Sequence, residues 1–229
     1  METIYYVILV FFTIVLFKFV FKINFKNMKQ KQENKEIEKI TDKFPQNIEI
    51  AKEMLEMLNN KNVKIEEAKN TGTSLYIAVT NKISIADMKN NYARIQTIAH
   101  ECIHSCQDRR ILLFNFIFSN INIVYFITIN ILTILRVINN QMLQIAVLML
   151  FTLIEFSIRS FLEIDAMTKA KYLAKEYMEK KKICTDEEKE TLLKEYENIN
   201  RIGIPFVIDN LLTNGLFRNL IYTVICIIV

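Results

Sequence analysis

Tryptophan is absent from this chain of 229 residues, which holds only three glycines, two prolines and two histidines. Isoleucine, asparagine and lysine are abundant instead. That is a compositional bias, and it removes asparagine or lysine frequency as an argument about function. Cysteine is sparse as well. Cys102, Cys106, Cys184 and Cys226 form no CxxC pair, which excludes a zinc ribbon or a dithiol redox motif, and they read as free thiols in a reducing compartment. Strong charge of one sign is missing too. The formal net charge of +4 is too small to support electrostatic binding of nucleic acid. There are no internal repeats, and no disordered linker beyond residues 27–40.

Apolar residues are plentiful, at 52% of the chain, and they are bunched into blocks with charge in the gaps. That layout predicts a polytopic membrane protein with a modest water-facing part. The first block, Ile4 to Phe21, is interrupted only by Lys18, which can snorkel to the interface. A cleaved signal peptide wants positive charge ahead of its apolar run. Here Glu2 precedes the run and Lys22, Lys26, Lys29, Lys31 and Lys35 follow it. It reads as a retained anchor, with the lysine side in the cytoplasm. Ile111 to Leu135 is uncharged and long enough to span, and a third block runs from Met142 to Leu162. Arg109 and Arg110 before this pair, and a lysine cluster after it, make the two blocks a hairpin that leaves the cytoplasm and returns. A last block, about 203–229, contains Asp209 and Arg218, and its clean tail LIYTVICIIV is too short to cross a bilayer alone.

Between the blocks lie shorter patterned segments. DKFPQNIEIAKEMLEMLNN has apolar residues at helical spacing; NVKIEEA and SLYIAV read as strands flanking the turn signal NTGT. A helix from about Ala86 to Arg110 follows. KAKYLAKEYMEKKK is a basic amphipathic helix, and Thr185 with Glu188 forms a capping box that starts another. The expected organisation is an anchor at 1–23, a water-facing portion at 24–110, a membrane hairpin at 111–162, amphipathic helices at 163–202 and a membrane segment at 203–229.

Both histidines fall in TIAHECIHSCQD, Thr97 to Asp108. His100 and His104 are one helical turn apart, so both imidazoles leave one face toward a common point, a spacing that suits two of the four positions around zinc. Glu101 lies beside that face, where it can take a proton from a zinc-bound water rather than bind the ion. Ile95, Ile98, Ala99, Cys102, Ile103 and Cys106 form a separate apolar stripe, so the two cysteines read as small core residues and not as ligands. With no third histidine, the third ligand has to be a carboxylate or a thiolate. Glu163 is the choice on topology, because it stands at the cytoplasmic exit of the hairpin whose entry follows the histidine helix. Asp165, nearby, is placed to accept from a ligand imidazole N–H. Asp108 is the rival ligand, though a helix would have to bend sharply for three successive turns to share one ion. Glu155 and Arg159 read as an intramembrane i,i+4 pair that neutralises both charges.

These stretches resemble the bacterial neutral zinc metallopeptidases of the YugP type, membrane-anchored members of the wider gluzincin group. AHECIHSCQ is similar to that family's AHExGHxxQ, matching at His100, Glu101, His104 and Gln107; LEIDAMTKA is similar to its ExDAxxxA, matching at Glu163, Asp165, Ala166 and Ala170. SLYIAVT stands where the family has a short strand, and the order of the elements agrees over most of the chain. The sequence departs at Ile103, where the family has glycine, and the apolar stripe has to house the larger side chain. The resemblance implies a zinc-dependent peptidase with His100, His104 and Glu163 as ligands, Glu101 as catalytic base, and Asp165 and Gln107 steadying the ligands from behind.

The expected fold class is therefore a mainly α membrane protein, with transmembrane helices and a small α+β zincin-like catalytic portion containing a short sheet. The expected activity is Zn2+-assisted hydrolysis of peptides or membrane proteins, at the cytoplasmic face of the cell membrane. Membrane lipid is the other expected partner and nucleic acid is not one. A substrate strand can add to the edge of SLYIAV. Tyr92, Arg94 and Tyr172 are the candidates for stabilising an oxyanion. Two alternatives share the motif: a catalytically inactive zinc-stabilised membrane scaffold, and a prenyl-protein or heat-shock type membrane protease. A transporter needs more charges along its spans than Glu155, Arg159, Asp209 and Arg218 supply.

Overall fold

A computed structural model describes residues 2–20, 35–68, 73–87 and 91–229. Its elements in chain order are α1 (Glu2–Val20), α2 (Lys35–Thr41), α3 (Asn47–Met57), β1 (Lys64–Ala68), β2 (Leu75–Ile77), β3 (Lys82–Ala86), α4 (Arg94–Cys106), α5 (Arg109–Ile134), α6 (Gln141–Lys181) and α7 (Asp186–Ile228). The chain is thus mostly helical with one small sheet, and α1, α5, α6 and α7 are long and apolar enough to cross a membrane. It divides into two compact units. One, here the four-helix unit, comprises 1–23, 114–161 and 205–229; the other, the sheet unit, comprises 24–113 and 162–204.

In the sheet unit the strand order is β1-β3-β2, with β1 parallel and β2 antiparallel to β3. The central strand β3, KISIA, carries the apolar load, with Ile83, Ile85 and Ala86 buried. It is a strand the sequence reading passed over, since Ala86 was expected to open the histidine helix. That helix starts only at Arg94 and stops at Cys106. The strand expected over SLYIAV shrinks to Leu75–Ile77 and then turns back toward β3. Most of NTGT lies outside the described residues, as does 27–34 of the expected linker, but Lys35–Thr41 is helical and not disordered.

The sheet packs with α3 and α4 in a core that includes Ile50, Met54, Ile83, Ile95 and Ile98, and the same core takes in Ala166, Ala170, Tyr177 and Tyr196 from α6 and α7. Each of the large side chains here stabilises by roughly 1.5–3 kcal/mol. Polar ties fix the helices around it. Arg94, 2% exposed, donates to Thr41 O (2.6 Å), Phe44 O (2.8 Å) and Asn47 Oδ1 (3.1 Å), clamping the turn before α3 to the start of α4. Gln96 donates to Asn200 Oδ1 at 2.8 Å, and Asn200 in turn donates to Met167 O at 2.9 Å, so α4, α7 and α6 are tied by one buried relay. Thr185 and Glu188 make both bonds of the capping box, at 3.0 and 3.2 Å, and start α7. Two boundaries expected from charge are not backbone boundaries. The third apolar block and the basic amphipathic helix are one helix, α6, and α7 runs from Asp186 through Pro205 to Ile228.

The four-helix unit turns more of its apolar surface outward. Phe11, Phe12, Val124 and Ile131 are exposed, while Asn122, Thr133, Thr152, Asn219 and Thr223 are buried along with apolar clusters that include Ile129, Leu148, Leu212 and Leu216. Asn219 donates to Thr152 Oγ1 at 2.9 Å, and Thr133 donates to the Tyr222 hydroxyl at 3.2 Å. The i,i+4 pair expected from spacing is present, as the looser part of a larger cluster. Arg159 Nη1 stands 3.7 Å from Glu155 Oε1, whereas Arg218 Nη2 and Asn122 Nδ2 donate to Glu155 Oε2 at 2.8 and 2.6 Å. Spacing along one helix identified the weaker partner, and the stronger ones come from neighbouring helices.

Candidate metal centre

All of the residues singled out for chemistry lie in the sheet unit. The apolar stripe of α4 goes into the core: Ile95, Ile98, Ala99 and Cys102 are wholly buried and Ile103 is 7% exposed. The core therefore houses Ile103 where the resembled family has glycine. This burial turns His100 and His104 to the other side, with side chains 20% and 12% exposed. Glu163 sits on α6 one residue past Leu162, on the face that carries Ala166, Ala170 and Ala174, each wholly buried. Three small side chains in a row let that face of α6 approach the core closely, and a glutamate at its end can then reach the imidazoles.

His100 Nε2 and His104 Nε2 are 3.0 Å apart, and Glu163 Oε2 is 3.4 and 3.6 Å from them. These are the distances that separate ligands of one ion. Zinc bonds of 2.0–2.1 Å in a tetrahedron place neighbouring donors about 3.3 Å apart. Two imidazole nitrogens and one carboxylate oxygen also form a donor set suited to a zinc with an open fourth position. Together the three side chains can hold a metal ion.

The surroundings favour positive charge at that point. Burial pushes the Glu163 carboxyl up, but the facing imidazoles of His100 and His104 outweigh it and hold the group well below the usual carboxylate range. Burial works to lower the His104 imidazole, and Glu163 first, then Gln107 and Glu101, raise it above its ordinary value. Glu101, 5% exposed, is pushed up by burial, partly offset by His100, His104 and a backbone bond. That bond is Tyr76 N–H to Glu101 Oε2 at 2.6 Å. Residue types could not announce this contact, because the donor is main chain. A strand placed ahead of the helix was its only signal.

Gln107, the C-cap of α4, is the hub behind the ligands. Its Oε1 stands 2.8 Å from His104 Nδ1, while its Nε2 donates to Leu162 O at 2.8 Å and to Asp165 Oδ2 at 3.0 Å. Two accepted donations fix which end of the amide is which. The oxygen must face His104 and accept from Nδ1–H, which leaves the lone pair of Nε2 directed at His100 and Glu163. Asp165 was expected to accept from an imidazole directly; instead it holds Gln107, and Lys169 pairs with its other oxygen at 2.6 Å.

Other candidates are committed elsewhere. Asp108 accepts from Arg110 N–H at 2.8 Å and pairs with the Arg110 guanidinium, so it opens α5 rather than joining the histidines. Cys102 is buried, with burial pushing its thiol up, but Cys106 is exposed beside Asn60, against the expectation of a core residue. Of the three oxyanion candidates, Tyr92 is 4% exposed within the core and Arg94 is spent on the turn before α3. Tyr172 lies nine residues beyond Glu163, about half a turn away around α6, and is exposed.

A mostly helical protein in which one helix carries HExxH, and another brings a glutamate to the same point, defines a candidate metalloprotein of the HExxH class. A family model described as "Putative neutral zinc metallopeptidase" matches residues 3–195, and the chain belongs to that family. No curated protein and no solved structure matches it.

Proposed function

We propose that the chain is a membrane-embedded zinc metallopeptidase with a zincin-like site formed by His100 Nε2, His104 Nε2 and Glu163 Oε2. The observation that carries this reading is the triangle of 3.0, 3.4 and 3.6 Å among those atoms, set beside a buried glutamate. A zinc ion bound there supplies Lewis-acid polarisation of a carbonyl and an acidified water. The protein's own residues do the rest. Glu101 Oε2 is held by Tyr76 N–H, which leaves Oε1 to take a proton from the attacking water and return it to the leaving amine. Burial raises the affinity of Glu101 for that proton, as a base working near neutral pH requires. Gln107 keeps His104 in the tautomer that offers Nε2. Tyr76 is the middle residue of β2, an edge strand of the sheet, and a peptide can extend along that edge.

Location sets the substrate class. With four helices able to cross a bilayer and lysines flanking them, the site faces the cytoplasmic side of the cell membrane and acts on membrane proteins or membrane-bound peptides.

The test is Glu101→Gln in the purified full-length protein. Metal content stays at the wild-type level while cleavage of a generic peptide falls by about a thousandfold or more, the scale of losing the base. A metal-stabilised scaffold without activity predicts metal in both proteins and cleavage in neither.

A further inference from the structure

The four-helix unit holds a surplus charge that neither its packing nor peptide hydrolysis uses. Glu155, 7% exposed, is a single carboxylate between two guanidiniums. Its Oε2 is already engaged twice, by Arg218 Nη2 at 2.8 Å and Asn122 Nδ2 at 2.6 Å. Arg159 Nη1 is 3.7 Å from Oε1, outside hydrogen-bond range, and the Arg159 side chain makes no hydrogen bond among the described residues. Exposure follows the same split, 21% for Arg218 and 43% for Arg159. Arg159 is the more loosely paired and the more exposed of the two, so the excess positive charge of the cluster lies on its side.

Its depth says what can neutralise it. Arg159 lies three residues before Leu162, where the apolar run ends, or about 4.5 Å along the helix axis. From there, near the end of the apolar run and not at the hydrocarbon centre, a long arginine side chain can snorkel to the lipid phosphates. Exposed Asn214 lines a small cavity together with Arg159, Arg218 and buried Thr152. The cavity, about 30 Å³, has room for a water but not for a phosphate, so an anion has to lie on the rim. A guanidinium there offers a planar fork that matches two phosphate oxygens.

We propose that Arg159, with Asn214 beside it on the rim, binds the phosphodiester headgroup of an anionic phospholipid. The inference rests on the membrane-spanning reading of the four-helix unit and is independent of the peptidase reading. Native mass spectrometry of the full chain in detergent tests it, with phosphatidylglycerol, phosphatidylcholine and inorganic phosphate titrated in turn. Wild type retains phosphatidylglycerol in preference to phosphatidylcholine, and Arg159→Gln weakens that binding about fivefold, the share of one arginine at a membrane surface. Lys61→Gln, on an exposed residue of the sheet unit away from the apolar blocks, leaves it unchanged. Equal retention of the two lipids overturns the proposal, as does an Arg159→Gln variant that keeps the preference while its melting curve matches wild type. Occupancy by inorganic phosphate alone overturns the lipid as its source. A lipid-free dimer that Arg159→Gln dissociates shows instead that this face joins two copies of the chain. Solubility without detergent sinks the membrane reading and this proposal together, whereas a detergent-requiring, lipid-blind protein sinks only this proposal.

Discussion

Ile98 and Ile131 are the same residue type on helices of the two units, and one is wholly buried while the other is 52% exposed. The contrast extends through both units. Around Ile98, isoleucine, methionine and tyrosine fill the interior. In the unit of Ile131, Asn122, Asn219, Thr133 and Thr223 share the interior with apolar side chains such as Leu148 and Leu216, and Phe11, Phe12, Val15 and Val124 face out. The first pattern is what water imposes on a folding chain. The second suits lipid, where apolar side chains gain little by turning inward and packed helices are held by small residues and hydrogen bonds.

That contrast can be broken with paired substitutions, read as melting temperatures of the purified protein in detergent. Ile98→Ala opens a cavity in the sheet unit and lowers stability by about 2–5 kcal/mol; Ile131→Ala changes it by less than about 0.5 kcal/mol. Equal losses would mean that Ile131 is packed against something in the purified protein. In the four-helix unit damage comes from added volume. A Cβ at Gly215 would stand 2.3 Å from Thr152 Cγ2, so Gly215→Ala costs about 1–3 kcal/mol, and the double variant with Thr152→Ser recovers part of it. Absence of recovery would place the strain elsewhere.

Smaller effects sharpen the account of the sheet unit. Gln107→Leu removes the group that orients His104 and weakens zinc affinity by about 10–100-fold, measured by competition with a chelator. An unchanged affinity would show that the imidazole is held without it. Glu53 gives the smallest effect. Burial raises its carboxyl, but hydrogen bonds from Lys181 and Tyr177 outweigh that and leave it below the ordinary value. A depressed folded value stabilises above the unfolded carboxyl pKa of about 4.3 and is lost as pH falls through the lower folded value. Comparing melting at pH 7 and pH 3.5, Glu53→Gln loses no more than about 1 kcal/mol at the higher pH and less at the lower. A loss of equal size at both would assign the role of Glu53 to packing.

How much of this was legible in the sequence depends on whether the signal was local. The spacing of His100 and His104, the apolar stripe behind them and the capping box at Thr185 are all written within one or two turns, and the structure places them as read except for Cys106 at the end of the stripe, which is exposed. β3 escaped notice because KISIA is short and adjoins a stronger helical pattern. Arg218 was missed as the partner of Glu155 because pairing between helices leaves no mark in spacing, whereas Arg159 sits at i+4. The continuity of α6 past Leu162 was hidden by a change in charge that the backbone does not follow. Glu163 is the instructive case: its choice over Asp108 rested on a chain that doubles back, and the structure brings its carboxylate to the histidines while Asp108 turns to Arg110.

The most direct measurement is the metal content of the purified full-length protein by mass spectrometry, beside a Glu163→Ala variant matched to it in melting behaviour. A zinc centre built on both helices predicts about one zinc per chain in the wild type and a variant stripped of it by dialysis against a chelator that the wild type withstands. Zinc retained in full by the variant, or a wild type that never takes up the ion, would contradict it.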